Sequence, residues 1–164
     1  MPPSFAPESL YLALETSGAL GSVAVGAGAH VLARGFLDRQ GRHAAELVPA
    51  IASVLREADV AVTDLAGVVV GSGPGSFTGV RVAAATGKGI AHALDLPIWP
   101  FSSLEAAAVA ERVLSPLPGV LGSPPLPRAE ALRYVLFAAR GDRVDAACYR
   151  VGADRVEELL APRA

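Results

Sequence analysis

The chain has 164 residues, 52% of them hydrophobic and 18% charged, with a formal net charge of −2 at pH 7. That length suits one domain, or one domain with part of a second. The balance of charge excludes a basic nucleic-acid footprint. The single cysteine, Cys148, excludes an internal disulfide and a multi-cysteine metal site, and no apolar run reaches the roughly 18 residues of a membrane span. The charged fraction is below the roughly 25% usual in soluble proteins, so we expect some apolar surface to be covered by a partner. The N-terminus has no basic start followed by an apolar core, which leads us to expect a cytoplasmic protein.

Residues 1–9, with Pro2, Pro3 and Pro7, read as a loose N-terminus. Leu10 to Glu15 reads as a strand, Gly21 to Val25 as a second and His30 to Leu37 as a third. The turns between them are short enough to require antiparallel neighbours. From His43 to Ala58 the residues Leu47, Val48, Ile51, Val54 and Leu55 recur at helical spacing. Pro49 should kink that helix or mark its first turn. Ala66 to Gly71 is a short strand, apolar on both faces, hence central and parallel.

A second helix, from about Phe77 to Ala93, opens after the turn. Leu96 to Phe101 reads as a fifth strand, and Ser102 or Ser103 as the cap of a third helix reaching Val113. The order β-β-β-α-β-α-β-α over residues 10–114 resembles the ribonuclease H-like lobe of the actin-like ATPase (ASKHA) fold, and alternates too late for an α/β barrel. Residues 115–129 form a Pro-rich linker. Residues 130–164 form an incomplete second lobe, with strands near Tyr134–Phe137 and Val144–Val151 and a stub of helix after Arg155. Two strands and a stub bury no core alone, so this lobe is expected to be truncated or completed by another subunit.

The densest signal is Gly71-Ser72-Gly73-Pro74-Gly75-Ser76-Phe77-Thr78-Gly79-Val80-Arg81, with four glycines and a proline in eleven residues. Such a strand-to-helix turn aims backbone N–H groups at an anion or makes a close packing corner. It is neither a Walker A loop nor a nucleophile elbow. The candidate nucleotide or anion contacts are Glu15, Thr16, Ser17, Gly73, Gly75 and Ser76, while Ser76 also suits a helix cap. Arg81 is a cation near a helix N-terminus, which is disfavoured by roughly 0.3–1 kcal/mol. It therefore requires an acidic partner in this chain or another. Lys88 and His92 follow it on one helical stripe. His30, His43 and His92 have no metal-site spacing, and no Ser/His/Asp set is assignable. His43 reads as a helix-start residue.

Three segments together, Leu12 to Ser17, His43 to Ile51 and Gly71 to Arg81, resemble the bacterial TsaB family, also called YeaZ. The resemblance covers about residues 10–113, with a weaker stretch at 134–150. It implies a non-catalytic scaffold and activator, paralogous to the catalytic subunit TsaD, in making N6-threonylcarbamoyladenosine at position 37 of tRNA. It further implies TsaD-like and TsaE-like partners, a homodimer when alone, and only indirect contact with tRNA. No cofactor is expected on this chain by itself, with ATP or ADP left to a complex interface.

The partner interface so implied takes in Val48, Ile51, Leu55, Phe77, Thr78, Arg81, Lys88 and His92. Catalytic relatives carry His-x-x-x-His after the fifth strand. Here Ser103 and Ala107 stand at those positions, and neither is a metal ligand. The alternative reading is an actin-like-fold ATPase or phosphotransferase that binds nucleotide at Glu15 and the 71–81 turn. Two departures stand out: the second lobe is about sixty residues short of the family's, and Ala138-Ala139 replaces its Asp-Ala.

Overall fold

The structure is a computed structural model that describes residues 8–28, 30–37, 42–113, 131–138, 143–152 and 155–163. The linker expected at 115–129 lies outside the described residues. The chain divides after Phe101 into two compact units.

The first unit is a five-stranded sheet in the order β3-β2-β1-β4-β5. Its strands are β1 (Leu10–Glu15), β2 (Gly21–Ala27), β3 (His30–Leu37), β4 (Leu65–Gly71) and β5 (Ile98–Phe101), and its helices are α1 (His43–Glu57) and α2 (Phe77–Leu94). β1 pairs antiparallel with β2 and parallel with β4, and β2 pairs antiparallel with β3. This is the expected element order. Alternation explains the layering: Leu12, Leu14, Val23, Val25, Val68 and Val70 point to one face and are buried there. Leu47, Ile51, Val54 and Leu55 of α1 and Ala83 and Ala91 of α2 complete that core. At a middle value of about 25 cal/mol per Å² of apolar area, such burial is the main stabilising term of the unit.

Glycine sets how closely α2 approaches the sheet. A Cβ on Gly87 would stand 2.6 Å from Val70 Cγ1, so no larger residue fits between helix and strand. α2 ends at Asp95, which is left-handed at φ 53°, and Leu96 N–H closes back on Ala91 O at 2.8 Å. α1 runs through Pro49 instead of starting there. The ring withholds one N–H from Ala45 O, a carbonyl on an exposed residue. Pro100 is tolerated because β5 is an edge strand.

The second unit holds α3 (Ser103–Val113) and an antiparallel sheet of β6 (Ala131–Ala138), β7 (Val144–Val151) and β8 (Val156–Arg163). Two expectations are corrected. The segment after Arg155 is a strand, not a helical stub: one isolated turn is costly to nucleate, whereas this segment pairs its main chain with β7. α3 belongs to this unit and not to the first lobe, because Leu104 and Ala108 are buried against Ala147, Tyr149 and Val151. These additions give the unit a core that two strands alone would lack. Ser102 is the residue that caps α3, its Oγ accepting from Glu105 N at 3.3 Å.

Candidate functional site: the glycine turn and the outer face of the second helix

The first sharp turn after β1 and the turn after β4 are bound to each other. Ser17 O accepts from Ser76 N at 2.7 Å. The Thr16 hydroxyl donates to Gly79 O at 2.6 Å. Thr16 and Ser17 are both buried. Glu15 turns back to accept Ser17 N–H on Oε1 at 2.6 Å. Its carboxylate occupies the space a side chain at Gly71 would need. Gly73 and Gly75 take φ of 84° and 148°, values that favour glycine, and a Cβ on Gly75 would meet Ser17 O at 2.6 Å. Ser76 caps α2 by accepting Gly79 N–H at 3.2 Å. The six nucleotide or anion candidates are thus gathered in one place. Of the N–H groups in the turn, those of Ser72, Ser76 and Gly79 are spent on Phe101 O, Ser17 O and Ser76 Oγ. The close packing corner is the reading this geometry favours.

Beyond that corner α2 turns an open face outward. Phe77 is 69% exposed, and Thr78, Arg81, Lys88 and His92 are exposed with it. The Arg81 guanidinium lies over the Phe77 ring, 3.8 Å from its centre. Among the described residues a π face, and not a carboxylate, steadies the cation. No ion pair to Arg81 occurs among the described residues.

The apolar half of the expected interface needs correction. Ile51 and Leu55 are 5% and 7% exposed and belong to the core under α1, whereas Val48 is 60% exposed. All three share the apolar periodicity of α1, and that pattern is blind to how wide the buried stripe is. Leu47 and Val54 complete the buried stripe, and Val48 falls beyond its edge. Val48 is therefore open to a partner, whereas Ile51 and Leu55 are not.

His43 is buried in the first turn of α1, and its Nε2 has no hydrogen-bond partner among the described residues. Ser103 is the buried first residue of α3, and Ala107 lies one turn on. Among the described residues no group of three His, Cys, Asp or Glu side chains is placed to hold a metal ion. No helix of the described chain is long and apolar enough to cross a membrane.

A second apolar surface escaped the sequence reading. Leu132, Tyr134 and Leu136 of β6 and Leu160 of β8 are exposed on the second sheet. A depression of about 210 Å³ lies among Tyr134, Leu136, Ala146, Leu160 and Ala161. The signal was available, since 131–138 is apolar at nearly every position and such a strand has two apolar faces.

The family model described as TsaD, tRNA N6-adenosine threonylcarbamoyltransferase, matches residues 38–143. The chain is 38% identical over 101 residues to the tRNA threonylcarbamoyladenosine biosynthesis protein TsaB of Bacillus subtilis, a match spanning 62% of this chain and 44% of that protein. It is 39% identical over 71 residues to the TsaB of Haemophilus influenzae, covering 43% of this chain and 30% of the relative. The chain thus spans less than half the length of these two curated relatives. Among solved structures, YeaZ from Pseudomonas aeruginosa superposes with a TM-score of 0.77 at 28% identity, over 94% of this chain and 66% of that one. The span of the family model takes in α1, β4, the glycine turn, α2, β5 and α3, and the chain belongs to the tRNA N6-adenosine threonylcarbamoyltransferase (TsaD) family, on its TsaB/YeaZ side.

Proposed function

We propose that this chain is a scaffold and activator subunit in forming N6-threonylcarbamoyladenosine on tRNA, and that it acts by pairing with a TsaD-type protein. One observation carries the reading. The glycine turn is engaged by its own chain through Thr16, Ser17 and Ser76, and so serves to fix α2 with its outer face open. A docking helix needs that rigidity. The interface would centre on Phe77, Thr78, Arg81, Lys88 and His92, with Val48 at its margin. A stable complex of this kind buries on the order of 1,200–2,000 Å². Ser103 and Ala107, at the positions of the histidine pair in catalytic relatives, support a non-catalytic part, because a hydroxyl is a poor ligand and a methyl is none. TsaE-type association, a homodimer of the isolated chain and nucleotide at a complex interface are further parts of this proposal.

The test is affinity capture of TsaD-type and TsaE-type proteins of the same organism on the purified chain, with and without ATP. Stoichiometric capture of the TsaD-type protein is expected, with no transfer activity from this chain alone. A rival reading, nucleotide binding by this chain, draws on the Glu15 carboxylate at the C-terminal end of β1 beside β4, where open α/β sheets take ligands. Calorimetry with ATP and Mg²⁺ separates the two: micromolar binding without a partner favours the rival.

A further inference from the structure

The outer stripe of α2 has a charge pattern that the monomer leaves unexplained. The helix contains no acidic residue, and Arg81, Lys88 and His92 all stand on its exposed side. On the neighbouring helix α1, Glu46 is taken by Arg42 at 3.5 Å. Arg81 is the fifth residue of α2, just past its first turn, and has no carboxylate partner among the described residues. The Phe77 ring stacked beneath it is itself largely exposed, which is costly for an aromatic in water. Arg81 is exposed, so a guanidinium seated over the ring can still offer its N–H groups to a carboxylate in two parallel hydrogen bonds.

We propose that Arg81 is held by Phe77 to receive a carboxylate on the facing surface of the TsaD-type partner, with Lys88 and His92 continuing the match to an acidic protein surface. The inference rests on the scaffold reading above and adds the chemistry of the contact. Phe77 acts as a positioning residue, because it reaches the partner's carboxylate through Arg81. A phosphate backbone is the less suited occupant, because the whole chain is net negative and carries no basic field to steer nucleic acid.

The experiment measures affinity between the full chain and the TsaD-type protein of the same organism, at 50, 150 and 500 mM NaCl. Arg81→Ala is expected to weaken binding about tenfold or more at low salt and to flatten the salt dependence. Phe77→Ala is expected to lose nearly as much, Phe77→Tyr to retain affinity, and the double variant Phe77→Ala/Arg81→Ala to be little worse than Arg81→Ala alone. Unchanged thermal midpoints by circular dichroism keep folding out of the comparison.

Affinity insensitive to Arg81→Ala or to salt overturns the proposal while leaving the scaffold reading in place. Additive losses in the double variant overturn the role of Phe77. If the native chain does not bind the TsaD-type protein at all, the scaffold reading itself fails and this proposal with it. Binding of tRNA by the chain alone, lost in Arg81→Ala, would assign the face to nucleic acid and likewise overturn it.

Discussion

The Thr16 hydroxyl donates to the Gly79 carbonyl at 2.6 Å, across 63 positions of sequence, and both groups are buried. This one bond ties the end of β1 to the first turn of α2. It fixes the direction in which Phe77 and Arg81 point. Gly79 O also accepts the helical bond from Ala83 N–H, so the Thr16 hydroxyl fills its second lone pair. Thr16→Val keeps the shape of the side chain and removes the donor. The expected loss is about 0.5–1.5 kcal/mol, read as a lower urea midpoint with unchanged slope.

Gly79 and Gly89 lie on one helix and make opposite predictions. A Cβ on Gly79 would collide with Thr16 O, while a Cβ on Gly89 would meet nothing within 4 Å. Gly79→Ala is expected to destabilise by about 1–3 kcal/mol through forced displacement of the turn. Gly89→Ala is expected to stabilise by about 0.5–1 kcal/mol, the intrinsic helical advantage of alanine. Equal effects at the two sites in thermal unfolding would contradict the packing described here.

The division of α1 into an inner and an outer side can be tested with two truncations. Ile51→Ala empties part of the core and should cost about 2–5 kcal/mol. Val48→Ala removes an exposed side chain and should stay within about 0.5 kcal/mol of the native stability. In the capture assay the order reverses in meaning: folded Val48→Ala is the variant that reports on docking.

Much of the first unit was legible because its signals are local. Alternation in 10–15 and 21–25, the helical repeat of 43–58 and the glycine turn each depend on neighbours a few residues away. Glu15, Thr16 and Ser17 come together with the glycine turn because β1, which Glu15 ends, runs beside the strand that leads into the turn. Four features were not legible because competing long-range contacts decide them. Which apolar residues of α1 face inward depends on the width of the sheet beneath. The support of Arg81 by Phe77 depends on the placement of the ring, and no described carboxylate pairs with Arg81. The strand 156–163 follows from the open edge of β7, since Val156-Glu157-Glu158-Leu159-Leu160 by itself suits a helix as well as a strand. The place of α3 in the second unit is equally non-local, resting on Leu104 and Ala108 meeting Tyr149.

Tyr149 makes the stability of the second unit depend on alkaline pH. Burial raises its phenol above the ordinary value of 10.0; the Ser102 hydroxyl opposes this, and the Glu158 and Glu105 carboxylates add to it. The neutral phenol is packed under α3, with its oxygen 3.5 Å from Ser102 Oγ. The folded state therefore holds the Tyr149 proton at a pH where the unfolded chain has released it. For a folded value raised above the unfolded one, the contribution is fully present below about pH 10 and is lost as pH rises through the folded value. Urea midpoints measured from pH 8 to 11 should fall more steeply in the native chain than in Tyr149→Phe, which cannot ionise. Parallel curves would place the phenol in contact with water and remove it from the core of the unit.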